Sequence, residues 1–235
     1  MKRITYEVLS LLEDKKYIVE ECRLLTPYIS QIFLRPVEKN ISYEAGQYIK
    51  IIHPDQNTSP FSIANAPLES SLLELHILQM RGIAEKQLLT LRGPYGNCTV
   101  SAMASDRPII FVARGTGFAP IKAVIEAWLQ KGSYPPIHLY WSVPGWRDLY
   151  LREQIESWVK TQSHFHFTAV LTRESLPHAK FGALPAAILQ DYPDLSSHQI
   201  YASGPKDMIY SALYAFQQHG LSREWFYSDV FNYEE

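Results

Sequence analysis

The 235-residue chain has only two cysteines, Cys22 and Cys98, and neither falls in a CxxC or CxxxxCxxC spacing. Neither a cysteine-held iron–sulfur cluster nor a zinc site is therefore indicated. Two unpaired thiols in a reducing cytoplasm are the expected state. Long hydrophobic runs are missing as well. No stretch approaches the roughly 18–20 apolar residues that span a bilayer. The amino end, MKRITYEVLSLLEDKKYIVE, lacks the apolar core and small-residue site of a secretory signal. A cytoplasmic protein without membrane contact is expected. Basic runs are also lacking, and 22 Lys and Arg against 24 Asp and Glu give a formal net charge of −2. No nucleic-acid partner is expected on that balance.

What remains is the composition of a globular protein, 46% apolar and 20% charged, long enough for a sizeable core in one or two domains. Its two halves differ in texture. From Tyr17 to about Val100 the segments YIVEECRLL, QIFLRPV, GQYIKIIHP, PFSIANAP, LLELHIL and LLTLRGPYGN are short, β-rich and bounded by turn residues. They predict an antiparallel six-stranded β-barrel. After SAMASDRP, apolar strands alternate with helices. IIFVA leads into FAPIKAVIEAWLQKG, which sets Ile121, Val124, Ile125 and Trp128 on one helical face. The strands IHLYWSV, FHFTAVLTR, HQIYASG and WFYSDVF follow, separated by DLYLREQIESWVKTQ, ALPAAILQDY and PKDMIYSALYAFQQHG. Such alternation needs crossovers and predicts a five-stranded parallel α/β sheet. The domains are expected over residues 1–103 and 104–235.

The segment FVARGTGFAP, residues 111–120, carries a buried strand into a glycine turn and then a helix. Gly115 and Gly117 let backbone approach an anion without an intervening Cβ. Free amides and the dipole at the helix start favour phosphate there, and Pro120 suits the first helical turn. In an open α/β sheet this first strand–helix turn is the usual phosphate seat. Arg114 either adds charge for a pyrophosphate or fills space the ligand would need.

Taken in order, YEAGQYIKI (43–51), SPFSIANAP (59–67), LELHIL (73–78), GPYGN (93–97), ARGTGFAP (113–120), YASGPKDM (201–208) and YSDVF (227–231) resemble successive motifs of the ferredoxin–NADP reductase superfamily. Within it the chain is most similar to bacterial NAD(P)H–flavin reductases and the reductases of 6-deoxy-sugar synthesis. The resemblance implies a barrel that holds FAD or FMN and an α/β domain that holds NADH or NADPH. Hydride then passes from nicotinamide to flavin N5 at the cleft, with the cofactors carrying the chemistry and the protein positioning them.

By that resemblance Ser62 and Ser203 are the catalytic candidates, the first near flavin N5 and the second beside the nicotinamide, where many relatives have cysteine. Phe61 packs on the flavin, and the backbone from Pro60 to Ile63 hydrogen-bonds its ring. His76, Ile77 and Leu78 line the ribityl side. Arg114, Gly115, Thr116, Gly117 and Phe118 form the nucleotide turn, while Gly204, Pro205 and Met208 wall the pocket. Phe231 and Tyr233 fall where relatives place an aromatic over the flavin.

The pattern breaks in two places. Ser59 stands where the family has an arginine that forks onto the flavin phosphate, a contact worth ~1.5–3 kcal/mol. The connection QMRGIAEKQ (79–87) is short by about one small helix, leaving Arg81, Gly82 and Lys86 as anion contacts or as a solvated hairpin turn. Nucleotide preference stays open, since Arg147 suits a 2′-phosphate and Asp148 suits ribose hydroxyls or a helix cap.

The resulting expectation is an NAD(P)H-dependent reductase delivering electrons through flavin to an acceptor. That acceptor is free flavin or a small molecule, or a separate protein. One alternative is a reductase component feeding an iron–sulfur protein, an oxygenase or a deoxy-sugar dehydratase. The other is a non-catalytic nucleotide-binding module of the same fold.

Overall fold

The computed structural model describes residues 14–67, 72–79, 82–132 and 135–232. Its first sheet contains β1 (Lys15–Leu24), β2 (Ile29–Pro36), β3 (Tyr48–Ile52), β4 (Thr58–Ser62), β5 (Leu73–Leu78) and β6 (Leu88–Tyr95). These run antiparallel in the order β4-β3-β6-β1-β2-β5, and an Ile63–Leu75 bridge brings the two ends together as a barrel. Alternate residues such as Tyr17 and Val19, Ile32 and Leu34, Ile49 and Ile51, and Leu73, Leu75 and Ile77 fill its interior. The period of two along β5 therefore turns Glu74 and His76 outward. They nevertheless stay buried, because the second lobe covers them.

That lobe contains β7 (Ile109–Arg114), β8 (Ile137–Val143), β9 (Phe165–Leu171), β10 (Lys180–Phe181), β11 (Gln199–Ser203) and β12 (Phe226–Tyr227). Helices α1 (Phe118–Lys131), α2 (Arg152–Thr161), α3 (Leu184–Asp191) and α4 (Lys206–Gln217) connect and cover them. The order is β10-β9-β8-β7-β11-β12, parallel throughout. The expected barrel and α/β sheet are both present, but the second sheet has six strands where five were expected. The extra strand is Lys180–Phe181, paired with Val170 and Leu171; at that length it leaves no periodic signal. WFYSDVF is strand only at Phe226–Tyr227, after which Asp229–Asn232 tighten into a 3-10 turn.

One apolar cluster joins Phe111, Ala113, Phe118, Val124 and Trp141 of the second lobe to Ala66, Cys98 and Val100 of the first. The connector between β6 and β7 is fastened by Gln199, wholly buried in β11. Its side-chain amide donates to the carbonyls of Ala104 at 2.6 Å and Arg107 at 2.7 Å, and its carbonyl accepts from Ala104 N at 3.0 Å. Among the described residues, no helix is long and apolar enough to cross a membrane.

Candidate active site at the seam of the two lobes

A cavity of about 920 Å³ opens where the outer face of the barrel meets the carboxyl ends of the parallel strands. Thr26, Tyr28, Ile29, Leu78 and Gln79 line its barrel side together with Pro60, Phe61, Ser62 and His76. The opposite wall is the Arg114–Gly117 turn, Ser142 and Asp148, Thr172 and Arg173, and Ser203 to Pro205. Asp229 and Val230 complete it.

The glycine turn owes its form to local chemistry. Gly115 adopts φ +55°, in the left-handed region, and a Cβ there would meet nothing within 4 Å. Trp141, stacked on Phe118 at 4.2 Å, donates its indole N–H to the Gly115 carbonyl at 2.9 Å and fixes the turn. The Phe118 amide closes back on the Gly115 and Thr116 carbonyls, and no side chain caps the start of α1. Gly204, at φ +155°, lies against Arg114, and a Cβ there would stand 3.1 Å from the Arg114 Cβ. The arginine side chain is exposed and lines the cavity.

Other sequence candidates lie off the cavity surface. Ile63 and Ile77 point into the barrel core, Phe118 into the core beside Trp141, and Met208 is buried beneath Gly204. Arg147 is exposed and does not line the cavity, whereas Asp148 does. The Asp148 carboxylate accepts the Gly145 amide at 2.9 Å, capping its own turn. Ser59 stands opposite Ile51 with its hydroxyl 2.7 Å from His53 Nε2, so the position of the missing arginine is turned to a local pair. The 79–87 connection folds back on β1: Lys86 N donates to Val19 O at 2.8 Å, and of its described residues only Gln79 lines the cavity. Arg81 and Tyr233 lie outside the described residues. Phe231 packs on Tyr210 and Phe226 with the Arg223 guanidinium 4.2 Å from its ring, so Asp229 and Val230 rather than Phe231 face the cavity.

Thr26, Tyr28, Thr172, Arg173 and Asp229 were not found from sequence. Thr172, Arg173 and Asp229 gather where parallel strands end side by side, while Thr26 and Tyr28 come from the turn between β1 and β2 of the barrel. Burial pushes the Asp229 carboxyl above its ordinary range. His76 is fully enclosed; burial lowers its pKa despite the Glu74 carboxylate 2.8 Å from Nε2. The neutral ring therefore donates Nε2–H to Glu74. Its Nδ1 has no partner among the described residues and sits beside Tyr150, whose ring is perpendicular at 5.2 Å.

The walls suit a planar ring system on the barrel side, where Tyr28, Phe61 and Leu78 offer apolar surface and Ser62 a hydroxyl. The opposite wall suits a nucleotide. Among the described lining residues, the only Lys or Arg side chains are Arg114 and Arg173, both on the nucleotide wall.

The family model for the oxidoreductase NAD-binding domain matches residues 111–213. The CDP-6-deoxy-L-threo-D-glycero-4-hexulose-3-dehydrase reductase of Yersinia pestis is 34% identical over 240 aligned positions, spanning 96% of this chain and 72% of that protein. A probable flavin reductase of Photobacterium leiognathi is 28% identical across 88% of this chain and 93% of its own length. A ferredoxin NADP+ reductase from Neisseria gonorrhoeae, crystallised with FAD and NADP, superposes with a TM-score of 0.78 at 14% identity, over 92% of this chain and 97% of that one. A barrel and a parallel sheet meeting at a cavity, together with this extent of sequence likeness, lead to one assignment: the chain belongs to the ferredoxin–NADP reductase superfamily, as an NAD(P)H-dependent electron-transfer reductase.

Proposed function

We propose that the protein oxidises NADPH and reduces a flavin that exchanges with solution, from which electrons pass to a separate acceptor. In this reading residues 1–103 form the flavin lobe and residues 104–235 the nucleotide lobe. The observation that carries it is the distribution of charge in the cavity: among the described lining residues the two arginines, Arg114 and Arg173, belong to the nucleotide wall. A flavin phosphate on the barrel wall meets hydroxyls such as Thr26 and backbone amides there, with no arginine fork among the described lining residues. Loose retention follows.

When bound, the flavin supplies an electron carrier that accepts hydride at N5. Ser62 orients the ring through its hydroxyl, while Phe61 and Leu78 give it an apolar shelf. Gly115 to Gly117 and the start of α1 receive the nucleotide pyrophosphate, with Arg114 closing over it. Ser203 and Gly204 form the floor under the nicotinamide, and the missing Cβ at Gly204 lets this floor pack against Met208 and Arg114. Thr172 and Arg173 sit beyond the end of β9, suited to a 2′-phosphate, whereas Asp148 is committed to Gly145. That difference favours NADPH over NADH. The likeness to a dehydrase reductase supports a protein acceptor, and the likeness to a flavin reductase supports free flavin as the immediate product.

An absorbance spectrum of the purified protein tests this. Little flavin absorbance on isolation, bleaching of added FMN or FAD by NADPH, and slower bleaching by NADH are expected. A firmly retained yellow chromophore overturns the exchangeable-flavin reading, and absence of bleaching with either nucleotide overturns the redox reading.

A further inference from the structure

Across the seam beneath the cavity runs a chain of buried charges that the site itself does not use. Lys122, one turn into α1 and only 4% exposed in its side chain, places its ammonium 2.8 Å from Glu74 of β5 and 2.8 Å from Glu126. It also donates to the Ala64 carbonyl at 3.1 Å. Glu126 accepts the Ala66 amide at 3.1 Å and the Gln154 side chain at 3.0 Å. Glu74 is 7% exposed and accepts three donors, from Lys122, from His76, and from Gln31 at 2.7 Å. Burial alone raises a carboxyl, but here the His76 hydrogen bond and the Lys122 charge outweigh it and hold Glu74 at about 2.

The placement of these contacts is specific. Ala64 follows Ser62 by two residues, and Ala64 N donates to Glu74 O at 2.7 Å, so the segment leaving β4 is held by β5 and α1 together. Lys122 lies four residues beyond Phe118, where the glycine turn becomes α1. One ammonium thus reaches both the strand that presents Ser62 and the helix that carries the phosphate turn. Burying ions in this way is costly and seldom the cheapest route to stability. What it provides is direction, because charge-assisted hydrogen bonds fix distances and angles that apolar packing leaves loose.

We infer that Glu74, Lys122 and Glu126 act as a positioning clamp that sets the separation between the Ser62 end of β4 and the 115–117 turn, and so the distance over which hydride moves. The clamp deepens the proposed redox reading and rests on it for its catalytic consequence. Its mechanical part stands on the contacts alone.

The test uses the full chain carrying Lys122→Met, and Glu74→Gln combined with Lys122→Met, in which Glu126, the most exposed of the three, is the one charge left without its ion-pair partner. Flavin reduction by NADPH is followed in single turnovers, FMN and NADPH affinities are titrated separately, and small-angle scattering with limited proteolysis at residues 101–108 reports the lobe arrangement. Because misplacing reactants by about an ångström costs up to a hundredfold in rate, the double variant should lose about tenfold or more in the reduction step. Each ligand binds mainly to its own lobe, so both affinities should stay within about threefold. The scattering profile should broaden and the connector should be cut faster.

A double variant with wild-type melting temperature and wild-type reduction rate overturns the clamp, as does a rate loss matched by equal losses in both affinities. Should Lys122→Met fail to fold, the double variant and Glu126→Gln give the same comparison. Should the wild type reduce no flavin at all, the redox reading falls while scattering and proteolysis still judge the clamp. Unchanged profiles then overturn it as well.

Discussion

Gly117 and the backbone of Ser203 approach so closely that a Cβ on Gly117 would lie 2.1 Å from the Ser203 carbonyl oxygen. The contact joins the nucleotide turn to the end of β11. Because the obstruction is backbone, no side-chain movement relieves it. Gly117→Ala should destabilise the fold by about 1–3 kcal/mol, as overpacking does, and weaken NADPH binding. Thermal unfolding and nucleotide titration measure the two effects. An unchanged melting temperature would show that the turn has room to shift.

Ser62 lies opposite Tyr48 at the β3–β4 pairing and faces the cavity. Ser62→Ala removes one hydrogen-bond donor, worth about 1–1.5 kcal/mol, so flavin reduction should slow by about tenfold with little change in NADPH affinity. Stopped-flow absorbance reads this directly, and an unaltered rate removes the hydroxyl from the mechanism.

The two cavity arginines should separate in their effects. A charge-assisted phosphate contact contributes about 1.5–3 kcal/mol, so Arg173→Ala should lower kcat/KM for NADPH by about tenfold to a hundredfold and leave NADH nearly unaffected. Arg114→Ala should weaken both nucleotides alike, since both carry the pyrophosphate. Steady-state kinetics with each nucleotide distinguish these patterns. Equal losses for NADPH and NADH in Arg173→Ala argue against a 2′-phosphate contact.

The acid dependence of stability should carry the mark of Glu74. Its carboxyl sits at about 2 in the fold against an ordinary 4.5, so the unfolded chain takes up the proton first. The stabilisation, about 3 kcal/mol, is complete above about 4.5 and disappears as pH falls towards 2. His76, Gln31, Lys122, Tyr43 and Tyr150 surround this carboxylate. The lowered pKa of His76 adds a loss of the same sign as pH falls below its ordinary 6.5. Melting temperatures recorded between pH 7 and 3 should therefore fall in both proteins, and less steeply below 4.5 in Glu74→Gln than in the wild type. Parallel curves for the two proteins count against the assignment.

The barrel strands and the four helices were legible because each holds a periodic apolar pattern: two along Tyr17–Val19 or Leu73–Ile77, three to four along Ile121–Trp128. Two-residue β10 was not, since no period fits in that length. The carboxyl end was overread as strand because aromatic and β-branched residues mark a strand in isolation. Yet Ser228 is buried to 1% and accepts from Val230 N, bending the chain into a turn. Within the site, Pro60–Ser62, Arg114–Gly117 and Ser203–Pro205 could be read because each is a contiguous motif. Thr172, Arg173 and Asp229 acquire meaning only where separate strands end together. Lys122 was hardest to see. Inside IKAVIEAW it reads as the solvated side of a helix, and its partner Glu74 lies 48 positions earlier in the chain.

Gln199 spends its whole side-chain amide on the connector, and Arg107 beside it lies 4.4 Å from the Trp225 ring. A linker so stapled is no swivel. With the connector held to β11, the proposed nucleotide and flavin would enter and leave by the cavity mouth between the lobes, and inhibition by excess product, read from initial rates, is the expected kinetic signature.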